Sequence, residues 1–299
     1  MLGPPLASPG KRLRELIEKD VVVLPGVWGA ISAKAAAAAG AEALYLSGAG
    51  VTNSLLAAPD IALLSLEEMA RQARYVTQAV SLPVLADADT GYGDVHNVSR
   101  AVIELEQAGL AGIHIEDQES PKRCGHLDGK AVIPARDMAA KLAAAAESKR
   151  DASFLIVART DARAVEGMEA AIERAKRYEG AGADAIFPEG LESEEEFAAF
   201  RSAVRAPLLA NMTEFGKTPL IPVSRFRELG YNMVIFPMTA FRVMLKAAGE
   251  AYETLLREGS QTNLLPKMRT RAELYALLDY AAYEARDRTW AERAAGKDA

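Results

Sequence analysis

Eight short apolar runs recur along the chain: Val21–Gly26, Ala43–Gly48, Pro83–Asp89, Gly112–Gln118, Phe154–Asp161, Ala185–Gly190, Pro207–Met212 and Met233–Met238. Each has 6–8 residues, mostly Val, Ile, Leu, Phe or Ala, the pattern of strands buried on both faces. Helix-like stretches lie between them, among them Ser65–Val80, Val95–Ala108, Ala135–Ser148 and Met168–Glu179. Alternating strands and helices predict βαβ units and a parallel sheet. A repeat supports this. Gly40, Gly109, Gly182 and Gly230 each end a helical stretch, and four residues later come Leu44, Ile113, Ile186 and Val234. Glycine just past a helix takes the left-handed conformation that caps it. One helix-to-strand connection is therefore used at least four times.

Eight strands make a (β/α)8 barrel the expected fold of this α/β chain, with a doubly wound sheet and a small extra domain as the alternative. The 299 residues suit one barrel, which needs about 250. We expect a single domain over residues 1–299, the barrel over about 20–260 and a helical extension over about 261–299. The long intervals from Ala43 to Pro83 and from Gly112 to Phe154 predict extra loop after the second and fourth strands. Loops after strands carry the active site in barrels.

Composition narrows the function classes. A single cysteine excludes an intrachain disulfide and a multi-cysteine zinc site, and suits a reducing compartment. A net charge of −6 without a long Lys/Arg run argues against nucleic acid or an anionic membrane as partner. The first residues carry three prolines and no apolar core of a signal peptide. The alanine-rich run Ala30–Ala43 is too short and polar to span a bilayer. A soluble, cytoplasmic protein is expected.

A buried strand should end in small or turn residues, yet most of these end in groups that bind charge. The second ends Tyr45-Leu46-Ser47-Gly48, the third Asp87-Ala88-Asp89, and the fourth carries His114-Ile115-Glu116-Asp117-Gln118. The fifth ends Arg159-Thr160-Asp161, the sixth Pro188-Glu189, and the seventh Asn211-Met212-Thr213-Glu214. Alternation puts Tyr45 with Ser47, Asp87 with Asp89, His114 with Glu116 and Arg159 with Asp161. In a barrel these side chains converge on one end. So many carboxylates need a positive charge among them, and a hard divalent cation on oxygen ligands is the economical answer. Asp87 and Asp89 are the expected anchors, with Asp60 and Glu116 in support. The Asp87-x-Asp89-x-Gly91 pattern is no EF-hand, because a strand precedes it and Val98 stands where the closing Glu belongs.

The long loop after the fourth strand holds Lys122-Arg123-Cys124-Gly125-His126. Lys, Arg and His beside a thiol favour its thiolate, and Gly125 lets backbone approach a ligand. Nearby carboxylates point to acid–base use of this thiol rather than covalent attack. Gly48-Ala49-Gly50 lacks the third glycine of a dinucleotide fingerprint, though its N–H groups suit an anion. Trp28 and Trp290 read as packing residues.

These motifs resemble those of the methylisocitrate lyases of the isocitrate lyase/phosphoenolpyruvate mutase superfamily, from about Val22 to Tyr283. The Lys122–His126 motif is the most specific of them. The longer isocitrate lyases, which share a related version, carry an inserted region that 299 residues cannot hold. The resemblance implies a (β/α)8 barrel whose last helix is swapped between subunits, a homotetramer, and Mg2+, with Mn2+ as a substitute. It implies cleavage of the tricarboxylate (2R,3S)-2-methylisocitrate to pyruvate and succinate in the methylcitrate cycle of propionate catabolism. Related lyases acting on 2,3-dimethylmalate, isocitrate or oxaloacetate are the alternative, and a catalytically dead scaffold barrel is the non-enzymatic one. Residue by residue, Asp87 and Asp89 match the metal ligands, and Cys124 the catalytic acid. Ser47, Gly48, Ala49, Lys122, Gly125, Arg159, Glu189, Asn211, Met212, Thr213, Arg242 and Arg271 match substrate-binding positions. His126 and Arg159 are expected to stabilise developing charge, and Tyr45 to act as the base. Many relatives have glycine where this chain has Ala49, whose methyl narrows the pocket.

Overall fold

The computed structural model describes residues 6–123 and 129–295. Eight strands form: β1 (Val22–Val27), β2 (Leu44–Leu46), β3 (Val84–Asp87), β4 (Gly112–Glu116), β5 (Leu155–Thr160), β6 (Ala185–Pro188), β7 (Leu209–Asn211) and β8 (Met233–Phe236). All pair in parallel, in the order β6-β5-β4-β3-β2-β1-β8-β7. A parallel bridge from Ile186 to Leu208 joins the two ends of that order. The result is the expected (β/α)8 barrel, nearly closed, with helices between the strands and further helices after β8. The four repeat glycines all have left-handed backbone, with φ of 94°, 87°, 102° and 79°.

Period-two alternation divides the barrel into two apolar layers. Outward residues such as Leu44, Leu46, Val84, Ala86, Ile113, Ile156 and Val234 pack under the surrounding helices. Inward residues, among them Leu24, Tyr45, Leu85, Leu155, Val157, Phe187, Leu209 and Ile235, fill the interior. The interior layer includes Leu13, Leu16 and Ile17 of a helix over Pro9–Lys19. Ser8 caps that helix and Pro9 stands at its first turn, a helix-start signal that lies outside the pattern of apolar runs.

Compactness divides the chain after Phe241. The barrel strands lie in the larger unit. The smaller unit, from Arg242 on, carries most of a helix over Thr239–Glu258, a 3-10 turn over Thr262–Lys267, and helices over Arg271–Leu277 and Tyr280–Ala295. Among the described residues, no helix is long and apolar enough to cross a membrane.

Close strand packing makes Gly112 irreplaceable: a Cβ there would lie 2.5 Å from Leu155 Cβ and 2.6 Å from its carbonyl oxygen. Gly180, at the end of a surface helix, has nothing within 4 Å of a Cβ. Urea unfolding should show Gly112→Ala destabilised by about 1–3 kcal/mol or more, and Gly180→Ala unchanged or stabilised by up to about 1 kcal/mol.

Candidate active site

The interior register changes chemistry along each strand. Leu85 is followed two residues on by Asp87, and Val157 by Arg159. Phe187 is followed by Glu189, and Leu209 by Asn211. The N-terminal half of the barrel is therefore filled with apolar groups, and its C-terminal end is lined with charge. Strand pairing sets Asp87 beside His114 and Glu116 beside Arg159.

Arg159 is the centre of one half of this site. It is 8% exposed. Its Nε and Nη2 donate to Asp161 Oδ2 and Oδ1 at 2.9 and 3.2 Å. Nη1 lies 3.3 Å from Glu116, and Nη2 lies 3.6 Å from Glu189. The guanidinium carbon stands 5.1 Å from the centre of the Phe187 ring. Asn211 Nδ2 donates to Glu189 Oε2 at 3.1 Å. Lys130 Nζ reaches Asp161 at 2.7 Å.

The other half is acidic. Lys122 Nζ lies 2.5 Å from Asp89, 3.0 Å from Asp60 and 3.8 Å from Asp87. Gly48 is required beside them, since a Cβ there would meet Asp87 Oδ2 at 2.6 Å. Gly48 begins the helix Gly48–Leu56, whose N-cap Ser47 accepts from the Gly50 N–H at 3.1 Å. The helix start, with Ala49 in its first turn, offers backbone N–H groups and a positive dipole end to an anion.

Burial and neighbouring charge sort the titrating groups. Burial pushes Asp87 up, but the Lys122 and Arg159 charges outweigh it and hold it at about 2. Burial carries Asp89 the other way, to about 6, against the pull of Lys122. Burial also pushes Glu116 far above the usual carboxylate range. His114 is driven down to about 4 by burial, so its ring is neutral at physiological pH. Its Nε2 hydrogen-bonds the Tyr45 hydroxyl at 2.8 Å and lies 3.6 Å from Asp87. Burial first, and then Asp87, raise the Tyr45 phenol, while Arg159 and Lys122 pull it down.

Most expected residues thus meet at the C-terminal end of the barrel: Tyr45, Ser47, Gly48, Asp60, Asp87, Asp89, Glu116, Lys122, Arg159, Glu189 and Asn211. Met212 is buried just after β7, and Thr213 follows it. Arg242 lies in the helix Thr239–Glu258 and Arg271 opens the helix Arg271–Leu277, both in the smaller unit. Cys124, Gly125 and His126 lie outside the described residues. Asp60, Asp87, Asp89 and Glu116 do not converge as a closed metal cage; among the described residues no three His, Cys, Asp or Glu side chains do. The donor set still fits a hard cation that keeps much of its water and takes one or two carboxylates. Three cations, Lys122, Lys130 and Arg159, face six carboxylates here. Both Glu116 oxygens and Asn211 Oδ1 are buried without a hydrogen-bond partner among the described residues.

The model of the phosphoenolpyruvate phosphomutase family matches residues 13–256. The chain belongs to that family. It is 56% identical to a 2-methylisocitrate lyase of Aeropyrum pernix, over 95% of this chain and 91% of that protein. The fold superposes on oxaloacetate acetylhydrolase in complex with 3,3-difluorooxalacetate with a TM-score of 0.91 and 34% identity, covering 97% of this chain and 99% of that one. Phosphonopyruvate hydrolase in complex with oxalate and Mg2+ gives a TM-score of 0.85 at 27% identity, covering 93% and 97%. These relatives share the barrel that gathers charge here.

Sequence reasoning missed a layer behind the site. Asp117 is fully buried. Its Oδ1 accepts from the Asp161 N–H at 2.9 Å, and its Oδ2 from the hydroxyls of Thr160 at 2.7 Å and Tyr178 at 2.8 Å. Arg174 adds a contact at 3.3 Å while forking onto Glu166 with two bonds of 2.7 Å. Asp117 thereby fixes the backbone of Asp161, which fixes Arg159. The only sequence signal is its place in the polar run after Ile115. Asp117→Ala removes an anion that four donors share, so urea unfolding should register a loss of about 3 kcal/mol or more. Arg12→Ala, which breaks an exposed pair with Glu15, should stay within about 1 kcal/mol of the parent.

Proposed function

We propose that this carbon–carbon lyase cleaves (2R,3S)-2-methylisocitrate to pyruvate and succinate with Mg2+, as a cytoplasmic enzyme of the methylcitrate cycle in propionate catabolism. The observation that carries the reading is the buried Arg159–Glu116–Asp161–Glu189 cluster beside Asp87 and Asp89, on a chain so similar throughout to a 2-methylisocitrate lyase. A substrate with three carboxylates needs fixed cations and N–H donors, and Arg159, Lys122 and the start of the helix Gly48–Leu56 supply them.

Asp87 and Asp89 would hold Mg2+, with Asp60 and Glu116 in support. The ion would polarise the hydroxyl and carboxylate of the pyruvate portion. Tyr45 acts as the base in its phenolate form, which the Arg159 and Lys122 charges favour; it takes the hydroxyl proton, the O–H electrons become the pyruvate carbonyl, and the carbon–carbon bond breaks. Its electron pair remains on the succinate portion as an aci-carboxylate. Arg159, held in one orientation by Asp161, faces that charge without having to reorganise. The sequence assigns His126 a share in it. Glu189 and Asn211 hold each other as a donor–acceptor pair at the same end of the barrel. Cys124 donates the proton that converts the carbanion into succinate, and the Tyr45 proton returns through solvent to the thiolate.

Ser47, Gly48, Ala49, Gly125, Met212, Thr213, Arg242 and Arg271 complete the substrate contacts in this reading. A homotetramer with an exchanged C-terminal helix is part of it. The helices Arg271–Leu277 and Tyr280–Ala295 bury none of their residues and expose Tyr275, Tyr280, Tyr283 and Trp290, an apolar surface of the kind assemblies cover. Trp290, read from the sequence as a packing residue, is 59% exposed.

A coupled assay for pyruvate tests the proposal, with 2-methylisocitrate, isocitrate, 2,3-dimethylmalate and oxaloacetate, each with Mg2+ and with EDTA. The expected result is fastest turnover of 2-methylisocitrate and loss of activity in EDTA. Faster cleavage of any other substrate overturns the substrate, and EDTA-resistant turnover overturns the metal. Cys124→Ser and Tyr45→Phe should each lower kcat by about 10²-fold or more while still binding substrate. Near-parental activity of either variant removes its assigned role.

A further inference from the structure

The acidic end of β3 already contains a cation, and it is a side chain. Lys122 Nζ contacts Asp89 at 2.5 Å and Asp60 at 3.0 Å and lies 3.8 Å from Asp87. The lysine side chain is 2% exposed. It enters from the loop after β4 rather than from a strand. Gln118 fixes that entry: its amide accepts from the Arg123 N–H at 3.0 Å and donates to the Arg123 carbonyl at 2.9 Å. Gln118 is in turn bridged to Val132. The ammonium is therefore a placed group within a buried cluster, not a surface charge folded back.

An ammonium at contact distance from Asp89 and a divalent cation on the same carboxylates cannot coexist cheaply. They would be like charges a few ångströms apart in a desolvated cluster, competing for the same oxygens. We propose that Lys122 is the resident counter-cation of the Asp87–Asp89 pair and exchanges with the divalent cation, so that cation binding expels its ammonium. This rests on the proposed function, in which Asp87 and Asp89 hold the ion. Two consequences follow from linkage. Lys122 weakens cation binding by competing for the pair, and the bound cation frees Lys122. The freed charge then faces the carboxylates of an incoming substrate, which makes cation binding first and substrate second the favoured order.

The experiment uses the full-length protein and amine acetylation read by peptide mass spectrometry. Lys122 should be protected in EDTA and acetylated several-fold more with saturating Mg2+, while exposed Lys11 is unchanged. Calorimetric titration with Mn2+ of the parent, Lys122→Gln and Asp87→Asn proteins runs alongside. Lys122→Gln should bind Mn2+ about 10-fold more tightly or better, the effect of removing one nearby like charge. If the parent binds Mn2+ but Lys122 acetylation does not respond to Mg2+, the exchange is wrong and the metal reading stands. Equal Mn2+ affinity of the parent and Lys122→Gln likewise overturns the exchange alone. If the parent binds no Mn2+, or Asp87→Asn binds it as well as the parent, the metal reading itself fails. The acetylation arm needs no variant, so it decides the matter even if Lys122→Gln does not fold.

Discussion

A guanidinium buried at the mouth of a barrel is the constraint around which the site is built. Arg159 cannot shed its charge, and an unpaired cation in such a place would cost several kcal/mol. Its neighbours answer that cost one by one. Asp161 takes the fork, and Glu116 and Glu189 approach the remaining edges. The Phe187 ring covers its face. Asp161 stands two residues on, just past the end of the same strand, but Glu116, Phe187 and Glu189 are distant in the chain and reach Arg159 only because β4, β5 and β6 are paired in one register. A slip of one residue would turn these groups outward into the apolar layer beneath the helices.

The same need for partners explains why the layer behind the site is polar. Asp161 can hold Arg159 only if Asp161 is itself immobile, and Asp117 holds its backbone N–H. Asp117 is a buried carboxylate and needs donors of its own, which Thr160, Tyr178 and Arg174 provide. Arg174 then requires Glu166. Each buried charge calls for the next until the chain of pairs reaches solvent at Glu166. This polar path brings no net gain over apolar packing, but it orients the guanidinium to within a hydrogen bond's tolerance.

The acidic half is more lopsided still, with Asp60, Asp87 and Asp89 sharing one lysine. Carboxylates exceed cations, burial raises Asp89 and Glu116, and one lysine stands where positive charge is most wanted. An excess of buried negative charge is a poor way to stabilise a fold and a good way to capture a cation and, through it, an anionic substrate. Asp87 stays ionised because Lys122 and Arg159 both act on it, so one carboxylate is ready as a ligand.

The strands, the helix-capping glycines and the class of fold were legible in the linear chain, because they follow from local rules. Apolar runs of strand length and glycine four residues before a strand residue need no knowledge of distant partners. So were Asp87, Asp89, Glu116 and Arg159, since charge at the end of a buried strand conflicts with burial unless something uses it. Tertiary structure alone decided who meets whom. His114 was visible as a polar strand residue, but only pairing of β3 with β4 sets it between Tyr45 and Asp87 and drives it neutral. Lys122 read as a residue that binds substrate, and only the fold brings its ammonium to Asp60 and Asp89, 62 and 33 positions away in the chain. The physical reason is range. Periodicity and capping act over a few residues, whereas the energy of a buried charge is set by whatever lies within a few ångströms, and closure of the barrel chooses those neighbours.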